Sequence, residues 1–282
     1  YSDYVLNHYD LRELRLNGCA TGLKRLTDGW QVETNNGALI AKNVVLAMGA
    51  SEQPLIPNWA RGHNEVTHMF SPAFDRNTLP ERVVIVGGGI SAGQLTLTLG
   101  ADGHEVTLLS RHAFRQAHFD SDPCWVTRLC LADFHNTSDW SARRTMITQA
   151  RNRGTMPPDV IKRLDDAENA GNITVKIDEV KAVNVSKNTL TLTTTTGTDH
   201  HTQHIVLATG FEAHRPGGEW IGNAVYDHGL PTAPDSYPIV DPSLCWTNGI
   251  YVSGALAELE VGPVSRNIIG ARLAAERIGT VT

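Results

Sequence analysis

The amino-acid sequence predicts an α/β fold with a parallel sheet, and two features of the chain support this prediction. An apolar segment, residues 44–50, recurs 161 residues later as residues 205–211, which indicates a duplicated architecture. Between the two copies, a β-branched run at residues 81–86 leads into three consecutive glycines and then into helical apolar spacing. That order is typical of a β-α-β unit.

A β-hairpin is predicted ahead of each copy of the repeat. The first contains residues 29–34 and turns at residues 35–37, where glycine permits a positive φ. The second begins at Asn188 and turns near Gly197. Each hairpin leads into the apolar strand of its repeat copy.

The β-α-β unit occupies about 30 residues between the two copies. Its first strand, residues 81–86, is too continuously apolar to be half exposed and is therefore predicted to be a buried parallel strand. A helix is expected at residues 91–99, where apolar side chains have helical spacing, and Gly100 and Gly103 end it. The second strand is predicted at residues 105–109.

The loop between the first strand and the helix has the frame G-x-G-x-x-A, which predicts a dinucleotide-binding site. Gly87 is expected to make the tight turn, Gly89 to let the backbone approach a pyrophosphate, and Ala92 to keep the helix close to the strand. The helix N-terminus then offers free N–H groups and its positive dipole end to the phosphates. The alternative is a glycine-rich turn that binds no ligand. The predicted cofactor-binding residues of the loop are Gly87, Gly88, Gly89, Ile90, Ser91 and Ala92.

Ser110, Arg111 and His112 follow the second strand, at the position that usually contacts the adenine ribose. An acidic residue there would accept a hydrogen bond from the 2′-hydroxyl of NAD. A hydroxyl, a guanidinium and an imidazole can instead donate to a 2′-phosphate. We therefore expect NADP(H) in preference to NAD(H). In the alternative interpretation, Arg111 is a solvated residue at the end of a strand.

Composition and charge limit the classes to which this protein can belong. Hydrophobic residues make up 41% and charged residues 19% of the 282 residues, as in an ordinary globular protein. No apolar run approaches the roughly 20 residues that a membrane-spanning helix needs. The net charge of -6 argues against a nucleic-acid partner. The four cysteines form no regular framework, so a cytoplasmic location is expected.

The order of these motifs resembles the flavoproteins with two dinucleotide-binding domains. That superfamily includes disulfide reductases, flavin-containing monooxygenases and amino-acid N-hydroxylases. The resemblance rests on the glycine loop, on the strand ends Ala47-Met48-Gly49 and Ala208-Thr209-Gly210, and on the C-terminal segment at residues 249–254.

The resemblance implies a Rossmann-like three-layer NAD(P)-binding domain at residues 79–214, inserted in a partial FAD-binding domain. The first part of the FAD-binding domain covers residues 1–78 and its C-terminal part residues 215–282. The glycine loop that would hold the ADP moiety of FAD is absent, and the motif spacing places it about 74 residues before Tyr1. We expect either an N-terminally truncated portion or a protein that has lost half of its flavin site.

The same resemblance implies a partial flavin site in the C-terminal segment. In the family this strand ends in Gly-Asp, whose carboxylate holds the ribityl chain, whereas here Gly254 precedes Ala255. A helix is predicted from Gly262 to Gly279, with N–H groups from about Val264 onward directed at the flavin pyrimidine ring. A helix that only packs on the domain is the alternative. The residues expected near the two cofactors are Gly49, Ala208, Thr209, Gly210, Gly254, Gly262 and Val264.

The predicted function is that of an FAD-dependent NAD(P)H oxidoreductase of the monooxygenase or N-hydroxylase type. Its cofactors are NADP(H) and FAD, and its partners are a small-molecule substrate and molecular oxygen. Cys124 and Cys130 match neither usual spacing of a redox-active pair and are interpreted as ordinary thiols. No catalytic residue is assigned, because the flavin carries the chemistry. The alternatives are a reductase that passes electrons to a quinone or a protein partner, and a non-catalytic redox sensor.

Further residues allow two interpretations each. His68 lies in a stretch similar to the linker of Baeyer–Villiger and flavin-containing monooxygenases, and is either near the cofactor or structural. Residues 113–172, with helices at 141–151 and 159–170, are expected to wall a substrate pocket or form a lid. The histidines at 200–204 lack partners, so no metal is expected. A basic cluster either reaches a phosphate or an acidic substrate or is a solvated helix face, and it consists of Arg143, Arg144, Arg151 and Arg153.

Overall fold

The computed structural model describes residues 2–50, 52–186 and 189–281. The chain divides into two compact units. The first boundary falls at Gly49 rather than at the expected residue 78, because the strand at Val66–His68 joins the parallel sheet of the second unit. Unit 1 comprises Tyr1–Gly49, Ser138–Arg143 and Arg215–Thr282, and unit 2 comprises Ala50–Thr137 and Arg144–His214.

Sixteen strands lie within the described residues, and most of them are short. They are β1 (Ala20–Leu26), β2 (Gly29–Thr34), β3 (Gly37–Ala41), β4 (Val44–Leu46), β5 (Val66–His68), β6 (Arg82–Val86), β7 (Glu105–Ser110), β8 (Arg115–Gln116), β9 (Thr155–Met156), β10 (Ile173–Ile177), β11 (Val180–Ser186), β12 (Thr189–Thr194), β13 (Asp199–Thr202), β14 (His204–Leu207), β15 (Cys245–Thr247) and β16 (Ile250–Val252).

Eight α-helices lie in the same described ranges, together with short 3-10 turns. No helix there combines the length and apolarity needed to cross a membrane. The helices are α1 (Ser2–His8), α2 (Ile90–Ala101), α3 (Arg128–Asn136), α4 (Trp140–Ala150), α5 (Pro158–Asn169), α6 (Gly218–His228), α7 (Glu258–Val261) and α8 (Ile268–Gly279). The 3-10 turns are Arg12–Leu14, Asn58–Ala60, Arg76–Thr78, Pro123–Val126, Gly254–Ala257 and Pro263–Arg266.

Unit 2 is built on a five-stranded parallel sheet with the order β10-β7-β6-β14-β5. The predicted buried strand is β6, at the centre. Because side chains alternate along a strand, Val83 and Ile85 face one side of the sheet and Val84 faces the other. All three are almost fully buried. Continuous apolarity therefore reflects burial on both faces.

Two different layers cover this sheet. Helices α2 and α5 pack on one face, where Leu99 and Leu164 are both fully buried. The antiparallel sheet β11-β12-β13 covers the other face, with Leu190 and Leu192 of β12 turned inward. The predicted three-layer α/β fold is confirmed, and its third layer is a sheet.

The smaller elements agree with the sequence in most places. The first predicted hairpin is β2-β3, whose turn contains Gly37 at φ +124°. The second is β12-β13, although Asn188, its predicted start, lies outside the described residues. Helices α4 and α5 match the two helices predicted within residues 113–172.

Unit 1 contains two small sheets. One is the antiparallel sheet β1-β2-β3, in which Trp30 is 1% exposed and its Nε1 donates to the carbonyl oxygen of Asn248 at 2.9 Å. The other has the order β15-β16-β4, and its β16 and β4 are parallel. The described part of unit 1 therefore also contains parallel strand pairing, although only between these two strands.

The single helix predicted over Gly262–Gly279 is wrong in its first turn. The chain forms the 3-10 turn Pro263–Arg266, and the Asn267 side chain accepts from the N–H of Gly270 at 3.0 Å to begin α8. Helix α8 packs so closely on that turn that a Cβ on Gly270 would lie 2.1 Å from the carbonyl oxygen of Val264. The break therefore arises from a tertiary contact.

A buried ion pair connects α7 to this turn. Glu258 is fully buried, and its carboxylate accepts from Arg266 Nε at 2.7 Å and from Nη2 at 2.8 Å. Arg266 Nη2 also donates to the hydroxyl of Tyr237 at 3.1 Å. Both carboxylate oxygens are thus satisfied inside unit 1.

We expect Glu258→Gln to lower the free energy of unfolding by about 3–5 kcal/mol, because removing one partner leaves the other as an uncompensated buried charge. Urea denaturation of the purified protein measures this loss. Glu276→Gln is the matched control, since Glu276 pairs with Arg272 in an exposed i,i+4 bridge worth about 0.5 kcal/mol. Equal losses in the two variants would contradict the role of the buried pair.

Candidate dinucleotide-binding site

The glycine loop lies at the carboxyl end of β6, where three parallel strands meet. The N–H of Gly87 donates to the carbonyl oxygen of Leu109 at 2.9 Å, and the N–H of Ala208 donates to that of Val86 at 2.8 Å. A Cβ on Gly87 would lie 2.4 Å from the carbonyl oxygen of Ala208. Only glycine fits between these strand ends.

The next glycine is also required for space, because a Cβ on Gly88 would lie 2.6 Å from the Oγ of the fully buried Ser110. Gly89 has more room, since a Cβ there would lie 3.5 Å from the Cα of Gly154, an ordinary contact distance. None of the three loop glycines has a positive φ. Close approach of other groups to the backbone is therefore the reason for glycine at positions 87 and 88.

Helix α2 begins directly after this loop. Its N-cap is Gly89, and no side chain accepts a hydrogen bond at this cap. The first N–H groups of a helix have no intrahelical acceptor, and together with the helix dipole they form a site for an anion. Ala92 is fully buried against the sheet, as predicted, while Ile90 is 40% exposed.

The three residues after β7 have different environments. Ser110 is fully buried, and its hydroxyl donates to the carbonyl oxygen of His112 at 2.7 Å. It therefore acts as a brace that stabilises the backbone just after β7. A Cβ on Gly88 would lie 3.3 Å from the ring of His112, which is half-buried. Arg111 is exposed. The structure thus brings Ser110 and His112 to the glycine loop.

A second basic side chain near the loop was not predicted. Arg115 begins β8, and its Nη2 donates to the carbonyl oxygen of Arg153 at 2.5 Å. The same atom would lie 3.4 Å from a Cβ on Gly154, the residue that approaches Gly89. A second arginine four positions after Arg111 was the available sequence signal.

Neither predicted role of the basic cluster holds for Arg143. This residue belongs to unit 1 and is 8% exposed. Its guanidinium lies 4.8 Å from the ring centroid of Trp140, donates to the carbonyl oxygen of Leu259 at 3.0 Å, and lies 3.6 Å from the carboxylate of Glu260. Arg143 is therefore a structural residue.

His68 ends β5 and is 2% exposed. Its ring contacts those of Phe70 and Phe211, with centroids 5.9 Å and 5.7 Å away, and its Nδ1 accepts from the N–H of Phe70 at 3.3 Å. Nε2 is buried without a hydrogen-bond partner among the described residues. Burial lowers the pKa of this histidine, although a backbone interaction with Gly210 opposes the shift.

The repeat seen in the sequence is also a repeat of structure. Gly49 follows β4 at φ +72°, and Gly210 follows β14 at φ +82°. Thr209, beside Gly210, donates through its hydroxyl to the carbonyl oxygen of Leu55 at 2.5 Å. In both units, a parallel strand thus ends in a glycine with left-handed backbone.

Unit 1 brings its predicted flavin-site residues to one sheet edge. Gly49 and Gly254 follow β4 and β16, which are parallel neighbours, and Gly254 has φ +62°. The hydroxyl of Ser265 donates to the carbonyl oxygen of Gly254, which places the turn with Gly262 and Val264 at the same edge.

The interpretation of Cys124 and Cys130 as ordinary thiols is wrong. The structure joins them in a disulfide, with Cα atoms 5.5 Å apart. A 3-10 turn followed by the start of α3 brings them together, a geometry that the spacing alone did not reveal. Among the described residues, no group of three His, Cys, Asp or Glu side chains is arranged to hold a metal ion.

The geometry of unit 2 is that of a dinucleotide-binding α/β domain. Residues 1–150 match the family described as pyridine nucleotide-disulphide oxidoreductase. This match spans more than half of the chain, which therefore belongs to that family. The predicted relationship to the flavoprotein superfamily is confirmed.

Two curated proteins are similar over about half of the chain. An uncharacterized CzcO-like oxidoreductase of Geobacillus kaustophilus is 27% identical over 149 residues, 49% of this chain and 42% of its own length. A ferredoxin–NADP reductase of Sulfolobus acidocaldarius is 26% identical over 145 residues, 49% of this chain and 44% of its own length. The match thus spans less than half the length of either relative.

Solved structures share the fold at low identity. A cadaverine monooxygenase of Erwinia amylovora bound to FAD has a TM-score of 0.72 at 14% identity, over 94% of this chain and 69% of its own. An ornithine N-hydroxylase of Kutzneria sp. 744, with reduced FAD and NADP+, has a TM-score of 0.71 at 18% identity, over 99% of this chain and 75% of its own. A bacillithiol disulfide reductase of Staphylococcus aureus has a TM-score of 0.59 at 16% identity, over 100% of this chain and 76% of its own. The expected cofactors, FAD and NADP(H), agree with this family and with the cofactors bound in the first two of these structures.

We expect His68 to lower stability in mild acid. Its pKa is lowered in the folded state, so between that value and the ordinary 6.5 the unfolded chain binds more protons. The free energy of unfolding should therefore fall as the pH drops below about 6.5, and the loss should level off below the folded pKa. His68→Phe should reduce this slope, measured by urea denaturation between pH 7 and 5.

His118→Gln is the control, because His118 is exposed. It should keep the slope of the unchanged protein. Identical slopes in His68→Phe and the unchanged protein would contradict the role of His68 in this pH dependence.

Proposed function

We propose that the chain contains the nicotinamide-nucleotide domain and part of the flavin domain of an NADPH-dependent flavoprotein monooxygenase of the N-hydroxylase type. The observation that carries the proposal is the N-terminus of α2. No side chain caps it, and the loop before it has no room for a side chain at positions 87 and 88. A phosphate group there would serve as the missing cap.

The residues of unit 2 fit NADP(H). The N–H groups of Ile90 and Ser91 would bind the pyrophosphate, which could approach closely because Gly87–Gly89 carry no Cβ. Arg111 and Arg115 would bind the 2′-phosphate by charge-assisted hydrogen bonds. Ser110 would act indirectly, since its hydroxyl is already engaged with the backbone of His112.

The residues of unit 1 fit part of FAD. Gly49 and Gly254 have left-handed backbone at the edge of the β16-β4 pair, and a backbone without Cβ allows close approach of a ligand. The turn from Gly262 to Ser265 would supply N–H groups at the same edge. When bound, a flavin supplies two-electron redox chemistry with nicotinamide and with oxygen. The role of these residues is to bind and orient it.

The choice of monooxygenase is supported by the cadaverine monooxygenase and the ornithine N-hydroxylase, whose TM-scores exceed that of the disulfide reductase. We infer a small-molecule amine as substrate, with oxygen as the second reactant. A reductase is the second candidate, and the similarity to a ferredoxin–NADP reductase favours it.

The test uses the product of the full-length gene, purified with added FAD. Its visible spectrum, NADPH oxidation, oxygen consumption and hydroxylamine formation are measured with cadaverine, ornithine and lysine. Hydroxylamine formed in step with NADPH oxidation is the expected result. Fast reduction of ferredoxin or a quinone, without hydroxylamine, would establish the second candidate. A colourless protein that is inert to NADPH would overturn both.

We expect Arg111→Ala to raise the KM for NADPH by about 10-fold or more, because a hydrogen bond to a charged group is worth about 1.5–3 kcal/mol. The KM for NADH should change by less than about twofold, since that nucleotide lacks the 2′-phosphate. Steady-state kinetics with both nucleotides measure the two effects. Arg163→Ala, at an exposed position of α5, is the control, and equal effects of Arg111→Ala on both nucleotides would contradict the assignment.

A further inference from the structure

The disulfide lies in a part of unit 2 that the proposed function does not use. Residues 119–137, here called the cysteine segment, contain the 3-10 turn Pro123–Val126 and helix α3. Cys124 belongs to the turn and Cys130 to the first turn of α3, and both are only half-buried. A thiol from solution can therefore reach this bond.

The disulfide joins two elements that also pack on each other. Trp125 and Phe134 are the buried residues of the cysteine segment that pack on each other, edge to face, with ring centroids 6.0 Å apart. On the other side, Val126 is 40% and Leu129 is 79% exposed. The covalent bond is therefore a constraint on the cysteine segment that acts beside this aromatic contact.

The cysteine segment is hydrogen-bonded to residues 151–152, which lie just before Gly154, the residue that approaches the glycine loop. The N–H of Asn152 donates to the carbonyl oxygen of Asp120 at 2.8 Å, and Asn152 Nδ2 donates to that of Phe119 at 2.9 Å. Ser121 and Arg151 form an antiparallel bridge beside them. The start of the cysteine segment and residues 151–152 thus form one paired unit.

Two residues further along, the paired unit meets the glycine loop. The Cα of Gly154 lies 3.5 Å from the position of a Cβ on Gly89. The carbonyl oxygen of Arg153 accepts from Arg115 Nη2. A displacement of residues 151–152 would therefore move Gly154 and Arg115 relative to the proposed nucleotide site.

We propose that Cys124–Cys130 is a thiol-exchange site through which a dithiol reductant regulates nucleotide binding at the glycine loop. The oxidised bond fixes the cysteine segment, and through it the turn at residues 151–154. Reduction releases both and weakens the binding of NADP(H). This inference rests on the proposed function only in naming the nucleotide.

The exchange reaction balances within the two partners. A thiolate of the dithiol attacks Cys124 Sγ, the bond to Cys130 Sγ breaks, and Cys130 leaves as a thiolate that then takes a proton. The second thiol of the reductant loses its proton and displaces Cys124 Sγ, which gives two protein thiols and the oxidised reductant. Cys130 is the better leaving group, because it lies in the first turn of α3, where the helix N-terminus favours a thiolate.

The other cysteines are less suited to such a role. Burial raises the pKa of the Cys245 thiol, and the nearby Asp241 carboxylate raises it further, which reduces its thiolate fraction. Cys19 is exposed and free, and it stands alone. In a reducing cytoplasm, the compartment that the sequence predicts, a disulfide is usually transient and acts in catalysis or sensing.

The test compares air-oxidised and dithiothreitol-reduced forms of the full-length protein, whose disulfide state is checked by peptide mass mapping. Calorimetric titration should give an NADP+ dissociation constant at least about fivefold higher after reduction, the usual lower range of allosteric coupling. A Cys124→Ser/Cys130→Ser variant should have the reduced value in both conditions. A Cys19→Ser/Cys245→Ser variant should keep the full response.

Equal dissociation constants in the two redox states would overturn the proposal, as would a response that survives in Cys124→Ser/Cys130→Ser or the lack of a disulfide in the oxidised protein. Hydrogen exchange over residues 119–155 gives a readout that needs no nucleotide. If NADP+ binds in neither state, the proposed function fails. Faster exchange at 119–121 and 151–155 after reduction would then still support the regulated link, and unchanged exchange would overturn it.

Discussion

The architecture of unit 2 depends on the close approach of Gly87 to Ala208. A Cβ at position 87 would lie 2.4 Å from the carbonyl oxygen of Ala208. Because this space is left open, β6 bonds to Leu109 at the end of β7 and to Ala208 at the end of β14. The three strands therefore end at the same level. Helix α2 then begins after only the three glycines of the loop, which keeps its N-terminus at the end of the sheet.

Two local requirements explain why the apolar repeat is detectable in the sequence. A strand that is buried on both faces needs continuous apolar side chains, and a left-handed residue directly after it favours glycine. β14 is such a strand, and Gly210 follows it with left-handed backbone. Gly49 likewise follows β4, but Val45 of β4 is 46% exposed. The two copies thus share the glycine that follows a parallel strand, and only β14 shows the burial.

Local sequence predicts the elements of this fold well where local physics decides them. The strand β6, the glycine loop, α2 and the two hairpins all follow from patterns of a few neighbouring residues. The break at Asn267 could not be predicted, because it depends on Gly270 packing against Val264 in the folded chain. Arg143 was also misassigned. Its partners, Leu259 and Glu260, lie more than one hundred residues away in sequence.

The candidate site shows the same difference between what a local pattern predicts and what tertiary contacts decide. For Gly87, the motif gave a tight turn as the reason for glycine, whereas the structure gives the close approach of the carbonyl oxygen of Ala208. The role of Ser110 changed from a ligand contact to a brace because its hydroxyl is used within the loop. Side-chain hydrogen bonds of this kind depend on rotamers, which a sequence pattern does not specify.

Anion binding by a chain of net charge -6 is then a matter of short distances. Exposed charges separated by more than about 8 Å are largely screened at physiological salt, so the overall charge contributes little at the loop. Backbone N–H groups at the start of α2 act at hydrogen-bond distance, and so would the guanidinium of Arg111 or Arg115. A side-chain cap at position 89 would occupy those N–H groups. The glycine leaves them for a ligand, at the cost of a helix end that is less stable without one.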